Sequence, residues 1–380
     1  MTFGQEQRDA LLDSLDRALL TWPDHDTFAL AISETVQHTG YAAADVEHQL
    51  RQVILRASGR AMRAVIEAEL GAAPDLTGAP ETVLVLASGG VPGLAIEGIA
   101  AAIAVGATAL VRPSRDESVL FHFLSGIRFW EPALHEQVEL VGMSDEDVPW
   151  ERADAAIVFG SDETIAFVRD QLSAEAAQRV AAYGSRQGIA VVLPGADVDP
   201  SWAERLADDV CTFRQHGCMS PSWLYLVGPE AATQPLVAEV GRELAFAAPR
   251  HSAPGIEDSI AHRRQHDSTT LSAIAADLTP GASQLFAGEA QLTVVRVADY
   301  AALTLQLARL GSLLQTAVIA GPYDERPGLA QVLLEAGCTR IALPGSAHEP
   351  DRLWPQDGIG RVAPLLGVAP LNRCCHFTTR

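Results

Sequence analysis

The stretch TVLVLASGGVPGLAIEGIAAAIAVGATALVRPS, residues 82–114, decides the fold class. It contains a short apolar run at 82–87, the turn SGGVPG, a helical pattern at 94–106 and a second apolar run at 107–111. Apolar runs of this length on either side of a helix are typical of parallel strands that are buried on both faces. The stretch therefore predicts a β–α–β unit.

The same alternation continues along the rest of the chain. Further strand-like runs occur at 138–142, 155–160, 189–193, 222–228, 291–297, 316–321 and 339–345. Apolar residues at helical spacing separate most of these runs, and the same spacing fills 5–70. The sequence therefore predicts an α/β protein with two Rossmann-like parallel-sheet domains and an N-terminal helical region that is broken near Pro23 and Gly40.

The composition excludes several classes of function. The chain has 380 residues, of which 48% are hydrophobic and 20% are charged, so it can bury large cores. Its formal net charge of -21 argues against nucleic acid or an anionic membrane surface as the main partner, because both require clustered positive charge. The sequence contains no Lys, which excludes Schiff-base chemistry by a lysine.

The sequence also predicts a cytoplasmic protein without a membrane span. Its first residues, MTFGQEQRDALLDSLDRALL, lack the basic segment that begins a signal peptide. The longest apolar run, 93–111, contains Glu97, so we interpret it as a buried helix and a strand. The five cysteines show no disulfide framework or zinc-site spacing, and Cys374, Cys375 and His376 are too close in sequence to form a tetrahedral cage. We therefore predict no metal.

Two predicted junctions between a strand and a helix are suited to bind phosphate. The first contains Ser88, Gly89 and Gly90, and a Gly-rich turn at a helix N-terminus offers backbone N–H groups to an anion. The second contains Gly160 and Ser161, where an ordinary helix N-cap explains the residues better than a phosphate site does.

Two arginines follow the predicted strand at 107–111. Arg112 and Arg115 would suit the 2′-phosphate of a cofactor ribose, because a guanidinium binds phosphate through two hydrogen bonds. Solvated loop arginines are the commoner case, so both interpretations stay open at this point.

Cys218 is the candidate nucleophile. It lies in FRQHGCMSPSWLYLVG, 213–228, between a glycine and a polar turn that leads into a predicted strand. His216 is two residues away, and a nucleophilic thiol needs a nearby base or a lowered pKa. From these neighbours alone, a packing role is the more frequent one. Cys211, in a helical pattern, and Cys338, ahead of a strand, are predicted to pack in the core.

Taken in order, five segments resemble the aldehyde dehydrogenase superfamily and, within it, the LuxC-type acyl-CoA reductases. They are TGYAAADVEHQL (39–50), SGGVPGLAIEGIAAAIAVGATALVRPS (88–114), DAAIVFGSDET (154–164), GIAVVLPGADVD (188–199) and RQHGCMSPSWLYLVG (214–228). The last segment is similar to the family's nucleophile stretch, in which a Gln-rich turn precedes Cys and Ser-Pro. Each segment is a weak signal alone, and their order makes the resemblance specific.

The resemblance implies an aldehyde dehydrogenase-like fold and the NADPH-dependent reduction of an acyl thioester to an aldehyde through a thioester on Cys218. It implies an N-terminal helical region of the cofactor domain, an NADP-binding domain, a catalytic domain and a C-terminal tail, at 1–76, 77–187, 188–350 and 351–380. The acyl group would come from acyl-CoA, or from a partner adenylating synthetase as an acyl-adenylate or acyl-protein. Members of the superfamily form homo-oligomers, but their bridging hairpin has no obvious match here, which leaves the oligomeric state open.

The resemblance also assigns roles to individual residues. The cofactor-binding residues would be Ser88, Gly89, Gly90, Arg112, Pro113, Ser114, Arg115, Gly160, Ser161 and Thr164. Ser161 would contact the pyrophosphate, and Arg112, in the position of the family's Lys, would contact the ribose. Arg115 replaces an acidic residue common in the superfamily, which favours NADP over NAD. His216 would orient the substrate or lower the pKa of the Cys218 thiol.

The sequence departs from the superfamily pattern at three places. Gly90 takes the position of the Asn that stabilises the oxyanion, which leaves the backbone N–H of Cys218 as a candidate donor. Tyr183 takes the position of the hydrolytic Glu, which disfavours oxidation of an aldehyde to an acid. The stretch FAGEAQLTVV, 286–295, has no clear match to Glu-x-Phe-Gly-Pro. Two alternatives therefore stay open: a cysteine acyltransferase that does not use nicotinamide, and a catalytically inactive scaffold subunit of a carboxylic acid reductase complex.

Overall fold

The computed structural model describes 4–72, 74, 76–114, 117–142, 144–195, 199–253, 283–287, 290–371 and 376–377. Its internal contacts divide the chain into two units. Unit 1 comprises the described parts of 1–39, 46–185 and 351–374, and unit 2 comprises those of 40–45, 186–350 and 375–380. The functional domain boundaries implied by the resemblance stay predictions.

Four helices precede the first strand, as the helical spacing predicts. They are α1 (Gln5–Thr21), α2 (Asp26–Thr39), α3 (Ala43–Ala57) and α4 (Gly59–Leu70). Ser58 caps the N-terminus of α4, since its side chain accepts a hydrogen bond from the backbone N–H of Ala61. A Cβ atom at Gly59 would lie 1.9 Å from the backbone oxygen of Leu12, so only glycine allows α4 to pack this closely on α1.

Sheet 1 lies in unit 1 and is entirely parallel, with the strand order β3-β2-β1-β4-β5. Its strands are β1 (Thr82–Leu86), β2 (Thr108–Arg112), β3 (Val138–Leu140), β4 (Ala155–Phe159) and β5 (Val180–Tyr183). The helices between them are α5 (Leu94–Ala104), α6 (Ser118–Trp130), α7 (Pro132–His135) and α8 (Asp162–Gln171). Strand β5 is absent from the sequence prediction, whereas the other four strands are confirmed.

Sheet 2 lies in unit 2, with the order β12-β11-β10-β6-β7-β9-β8. Its strands are β6 (Gln187–Val192), β7 (Pro221–Val227), β8 (Ser283–Ala287), β9 (Ala290–Val297), β10 (Leu314–Ala320), β11 (Arg340–Ala342) and β12 (His376–Phe377). The described helices of this unit are α9 (Trp202–Cys211), α10 (Glu230–Ala247), α11 (Tyr300–Leu310) and α12 (Arg326–Glu335). Strand β8 pairs antiparallel with β9, and the remaining pairs are parallel. Among all the described helices, none is both long and apolar enough to cross a bilayer.

Apolar residues cover both faces of sheet 2. Leu224 and Leu226 of β7 pack in one core with residues of α9 and α10, such as Leu206. Trp223 and Tyr225, which alternate with them, pack in a second core with residues of α11 and α12. Successive side chains of a strand point to opposite faces, so a strand with two covered faces is apolar throughout. This explains why the strands appear in the sequence as continuous apolar runs.

A buried carboxylate ties the C-terminal part of unit 1 to α4. The Glu69 side chain accepts hydrogen bonds from the backbone N–H groups of Arg361, at 2.8 Å, Val362, at 2.8 Å, and Ala363, at 3.0 Å. The backbone oxygen of Glu69 also accepts from the N–H of Leu371 at 2.9 Å. Since Glu69 is only 5% exposed, water cannot readily replace its carboxylate as the acceptor for these backbone N–H groups.

We expect Glu69→Gln to destabilise unit 1 by about 2–3 kcal/mol, because an amide retains one acceptor oxygen for three buried N–H donors. Thermal or urea denaturation followed by circular dichroism measures the change. Glu139→Gln is the matched control, since the Glu139–Arg152 ion pair is about half exposed and contributes about 0–1 kcal/mol. Equal losses in the two variants would contradict the role given to Glu69.

Candidate active site

Parallel pairing brings the predicted cofactor segments to one edge of sheet 1. Leu86, the last residue of β1, pairs with Arg112 of β2 on one side and with Val158 of β4 on the other. The turns that follow these strands therefore leave the sheet at the same carboxyl edge. The strand order reverses direction at β1, and α/β sheets bind ligands at such a switch point.

The turn 88–93 leads from β1 into α5 and is held by α3. Gly93 has a φ of 85°, in the left-handed region, and a Cβ atom there would lie 3.0 Å from Val53. The side-chain amide of Gln49 donates a hydrogen bond to the backbone oxygen of Pro92 at 3.4 Å. The predicted Gly-rich turn is thus placed at the N-terminus of a helix, where backbone N–H groups attract an anion.

A buried ion pair neutralises the one carboxylate in the first turn of α5. Glu97 alone would oppose an anion at this helix end. The guanidinium of Arg56 donates to Glu97 at 2.5 Å, and both side chains are 9% exposed. The N-terminus of α5 therefore keeps its attraction for phosphate.

Ser161 caps α8, as ordinary N-cap chemistry predicts. Its hydroxyl oxygen accepts a hydrogen bond from the backbone N–H of Thr164 at 3.2 Å and lies 3.2 Å from the Thr164 hydroxyl. Gly160, just ahead of it, donates its N–H to the backbone oxygen of Tyr183 at 3.1 Å. The contact of Ser161 with a pyrophosphate stays a prediction.

The segment after β2 places Arg112 in an ion pair. Its guanidinium lies 2.8 Å from the Asp145 carboxylate, in a pair that is partly exposed. Pro113 and Ser114 follow at the carboxyl edge. Sequence reasoning missed Glu117, which is buried next to this segment, and burial raises the pKa of its carboxyl group to about 7.

Three other residues singled out in the sequence lie outside the described residues: Arg115, Cys374 and Cys375. Where the structure does describe the chain, no three side chains of His, Cys, Asp or Glu gather as a metal site requires.

Cys218 lies on the loop between α9 and β7, at the amino edge of sheet 2. Its side chain is partly exposed. Cys211 and Cys338 are buried, and burial raises the pKa of the Cys211 thiol to about 12. A reactive thiol must be reachable and must form a thiolate. Among the cysteines that the structure describes, Cys218 is therefore the most accessible to a substrate.

The backbone just before Cys218 is strained. Phe213, Arg214 and Gln215 have φ values of 53°, 51° and 64°, so three consecutive residues other than glycine are left-handed. Each such residue costs about 1–2 kcal/mol relative to a right-handed conformation. The chain returns to ordinary φ at His216. Strain of this kind persists only where surrounding contacts hold it, and it is concentrated at functional sites.

A tyrosine from the N-terminal part of the chain holds His216. The Tyr41 hydroxyl lies 2.9 Å from His216 Nδ1, across 175 positions of sequence. The Tyr41 side chain is 1% exposed, and its ring packs on Phe213 with the centroids 5.5 Å apart. Segment 40–45, which carries Tyr41, belongs to unit 2. Sequence reasoning missed Tyr41, because nothing near it in the sequence points to His216.

A buried, neutral histidine packs against the loop that carries Cys218. His348 Nε2 lies 3.3 Å from the Ser220 hydroxyl and 2.9 Å from the backbone oxygen of Asp209. A Cβ atom at Gly217 would lie 3.2 Å from the His348 ring, so a side chain there would press on it. Burial lowers the pKa of His348 to about 4, which keeps the ring uncharged near neutral pH.

A second histidine fixes segment 40–45 within unit 2. His251 Nδ1 lies 2.8 Å from the Asp45 carboxylate, and Nε2 lies 3.0 Å from that of Asp208. Burial alone would lower its pKa, but the hydrogen bonds to Asp208 and Asp45 outweigh burial and raise the pKa to about 9. The imidazolium therefore bridges two carboxylates and holds the segment that carries Tyr41.

A cavity of about 310 Å³ lies at the carboxyl edge of sheet 2. Its lining residues are Leu193, Pro194, Val227, Asp299, Tyr300 and Glu325. Cys218 precedes the other end of β7, so the length of this strand, about 20 Å, separates the cavity from the thiol. The cavity is therefore not part of the candidate active site.

A family model supports the resemblance seen in the sequence. The model described as LuxC, acyl-CoA reductase, matches residues 5–283, which is more than half of the chain. No curated protein matches the chain.

Solved structures identify the fold as aldehyde dehydrogenase-like. An NAD-dependent benzaldehyde dehydrogenase from Corynebacterium glutamicum is 15% identical, with a TM-score of 0.64 over 90% of this chain and 83% of that one. A mutant propionaldehyde dehydrogenase from the Clostridium phytofermentans fucose utilisation bacterial microcompartment is 12% identical, with a TM-score of 0.56 over 90% and 84%. An oxidoreductase from Marinobacter aquaeolei is 12% identical, with a TM-score of 0.63 over 90% and 79%. The predicted fold is confirmed.

We expect His251→Gln to lower the melting temperature more at pH 6 than at pH 9.5. The pKa of His251 is raised to about 9 in the folded protein, against about 6.5 in an unfolded chain. Its stabilising charge is therefore fully present below about pH 6.5 and is lost as the pH rises through about 9. Thermal scans of both proteins across this range measure the effect. A difference that does not change with pH would rule out the proposed bridge, and Asp45→Asn should weaken the pH dependence.

Proposed function

The chain belongs to the LuxC family of acyl-CoA reductases, and we propose that it reduces an acyl thioester to an aldehyde with NADPH through a thioester on Cys218. As a member of this family it is an aldehyde-forming oxidoreductase. The observation that carries the proposal is that Cys218 is partly exposed and follows a strained turn, whereas the other two described cysteines of its unit are buried. The NADPH specificity, the covalent intermediate and the acyl donor belong to the proposal.

In the first step the Cys218 sulfur attacks the acyl carbon of the donor thioester. A bond from sulfur to the acyl carbon forms, the bond from that carbon to the donor's sulfur breaks, and the Cys218 proton passes to the departing thiolate. For an acyl-adenylate donor, the bond that breaks joins the acyl carbon to the phosphate oxygen, AMP departs and the Cys218 proton passes to water. The backbone N–H of Cys218 is the proposed oxyanion donor, since Gly90 offers no side chain.

In the second step the acyl group leaves Cys218 as an aldehyde. When bound, NADPH supplies a hydride to the acyl carbon. The bond from this carbon to sulfur breaks, and the Cys218 thiolate takes up one proton, which regenerates the thiol. We assign to His216 the role of stabilising the Cys218 thiolate. The Tyr41 hydroxyl, 2.9 Å from His216 Nδ1, holds the imidazole ring in place.

Residues of unit 1 suit the binding of nicotinamide adenine dinucleotide phosphate. Helices α5 and α8 follow β1 and β4, the two strands at the switch point of sheet 1. The N-terminus of each helix suits the pyrophosphate. Arg112 would hold the ribose phosphate, with Pro113 and Ser114 beside it. The similarity to an NAD-dependent benzaldehyde dehydrogenase supports a nicotinamide cofactor. Asp145 would then share or release the Arg112 guanidinium, because a 2′-phosphate carries more negative charge than one carboxylate.

The acyl donor is proposed to be acyl-CoA or an acyl group delivered by a partner adenylating synthetase. The family resemblance supports both, since LuxC-type reductases work within fatty acid reductase complexes. A cysteine acyltransferase and an inactive scaffold subunit remain as outcomes of the test that follows.

Cys218→Ser should lower the single-turnover rate of aldehyde formation by about 10³-fold or more, because the hydroxyl is a far weaker nucleophile than the thiol. The assay mixes the enzyme with a panel of acyl-CoAs and NADPH, follows the loss of NADPH absorbance and traps the aldehyde. Intact-mass analysis records the acyl-enzyme.

Cys211→Ala is the control, since it removes a buried thiol and should keep most of the activity. Acylation of Cys218 without oxidation of NADPH would favour the acyltransferase. If neither wild-type acylation nor aldehyde were seen, with or without an acyl-activating synthetase, the scaffold interpretation would replace ours.

Arg112→Ala should raise KM for NADPH by about tenfold or more and leave KM for NADH nearly unchanged, because the guanidinium is proposed to bind the 2′-phosphate. Arg152→Ala is the matched control, since Arg152 forms a comparable exposed ion pair with Glu139. Steady-state kinetics with each cofactor measure the ratio. An equal rise for the two cofactors would reject the assignment of Arg112 to the 2′-phosphate.

A further inference from the structure

We propose that Gln215 is a positioning residue for the nucleophile, and that its side-chain amide holds the loop 215–221 in the geometry that acylation of Cys218 requires. The inference rests on the function proposed above, because it gives Gln215 a role in the step that Cys218 performs. Gln215 is not proposed to contact the reacting atoms. It acts through the backbone of the loop.

The amide of Gln215 makes three hydrogen bonds, all to backbone groups. Its Nε2 donates to the backbone oxygen of Pro221 at 2.9 Å and to that of Gln291 at 2.8 Å. Its Oε1 accepts from the backbone N–H of Gln291 at 2.8 Å. Both N–H groups of the amide and its oxygen are thus satisfied by the sheet framework.

These bonds fix the loop to two strands at once. Gln291 lies in β9, 76 positions along the chain, and the Gln215 amide pairs with both its N–H and its C=O, as a neighbouring strand would. Pro221 is the first residue of β7, so the bond to its oxygen closes the loop 215–221. Cys218 is the midpoint of this closed loop.

The strain of the preceding turn explains why such a tie is needed. Gln215 is itself left-handed, together with the two residues before it, and none of them is a glycine that adopts this conformation freely. The backbone bonds from His216 to Phe213 and from Ser220 to Gly217 lie within the loop segment and shape it locally. The Gln215 amide anchors that shape to β7 and β9, which fixes where Cys218 stands.

The test compares Gln215→Met with Gln187→Met. Methionine matches the shape of glutamine but forms none of the three bonds. Gln187 begins β6 at the same edge of sheet 2, and its Oε1 accepts from the Ser222 hydroxyl at 2.5 Å, so its variant also removes a side-chain hydrogen bond there. Three quantities are measured: the single-turnover rate of Cys218 acylation by acyl-CoA, KM for NADPH, and amide hydrogen exchange over 212–221.

For Gln215→Met we expect acylation to slow by about 10- to 100-fold, because a displacement of about 1 Å costs that much in an oriented reaction. KM for NADPH should stay unchanged, and amide exchange over 212–221 should accelerate. Gln187→Met should remain within about twofold of the wild type in all three. Normal acylation in Gln215→Met, or equal losses in both variants, would overturn the positioning role.

A second readout separates this inference from the proposed function. If the wild-type protein is not acylated by any acyl-CoA, with or without an acyl-activating synthetase, the proposed function fails, and Gln215 is then judged by alkylation of Cys218 with iodoacetamide at a pH where the thiolate is fully formed. A rate at least about threefold higher in Gln215→Met, but not in Gln187→Met, would show that the amide restrains the thiol. Equal alkylation rates in the wild type, Gln215→Met and Gln187→Met would reject the positioning role of Gln215, whether or not the protein is a reductase.

Discussion

Parallel strand pairing fixes where each functional segment of this chain can lie. In a parallel sheet every strand ends at the same edge, so the turns after β1, β2 and β4 must meet there. The same rule sends each helix back to the opposite edge before the next strand begins. The loop from α9 to β7 therefore carries Cys218 to the amino edge of sheet 2, away from the cavity at its carboxyl edge.

At this amino edge the loop that carries Cys218 is not paired as a strand. Hydrogen bonds and contacts of side chains fix its shape instead. Gln215 pairs with the backbone of β9, Tyr41 holds His216, and His348 contacts Ser220. Each contact is made by a side chain that is partly or fully buried, so water competes poorly for the hydrogen bond. The left-handed turn at 213–215 persists because these contacts leave the backbone few alternatives.

The parts of the fold that sequence predicts are those with a local signal. The continuous apolar runs predict β1, β2, β4, β6 and β7, because a strand covered on both faces needs apolar residues throughout. Strand β5, Val180–Tyr183, contains two alanines, which have a low β propensity, so its residues give no clear strand signal. Strand β8 pairs antiparallel at the edge of sheet 2, where much of the strand is exposed and the apolar run is interrupted.

The candidate site divides in the same way. Cys218, Ser161 and the turn 88–93 have recognisable neighbours in the sequence, and the structure places the turn and Ser161 at one edge of sheet 1 and Cys218 in unit 2. The residues that hold Cys218 have no such signal, because their partners are 175 and 76 positions away. The left-handed conformation of Phe213 and Gln215 could not be predicted from the sequence, because glycine or asparagine is the usual residue at positive φ.

The chemistry of Tyr183 bears on the direction of the reaction. The resemblance places it where oxidising aldehyde dehydrogenases have a Glu that activates water. Burial raises the pKa of the Tyr183 phenol well above its usual value, the Glu69 carboxylate adds to this, and the hydroxyl donates to the backbone oxygen of Gly360 at 2.7 Å. A phenol held in this way does not remove a proton from water near neutral pH. Tyr183 therefore cannot take the water-activating role that the Glu has in oxidising aldehyde dehydrogenases, which agrees with the proposed reduction of a thioester.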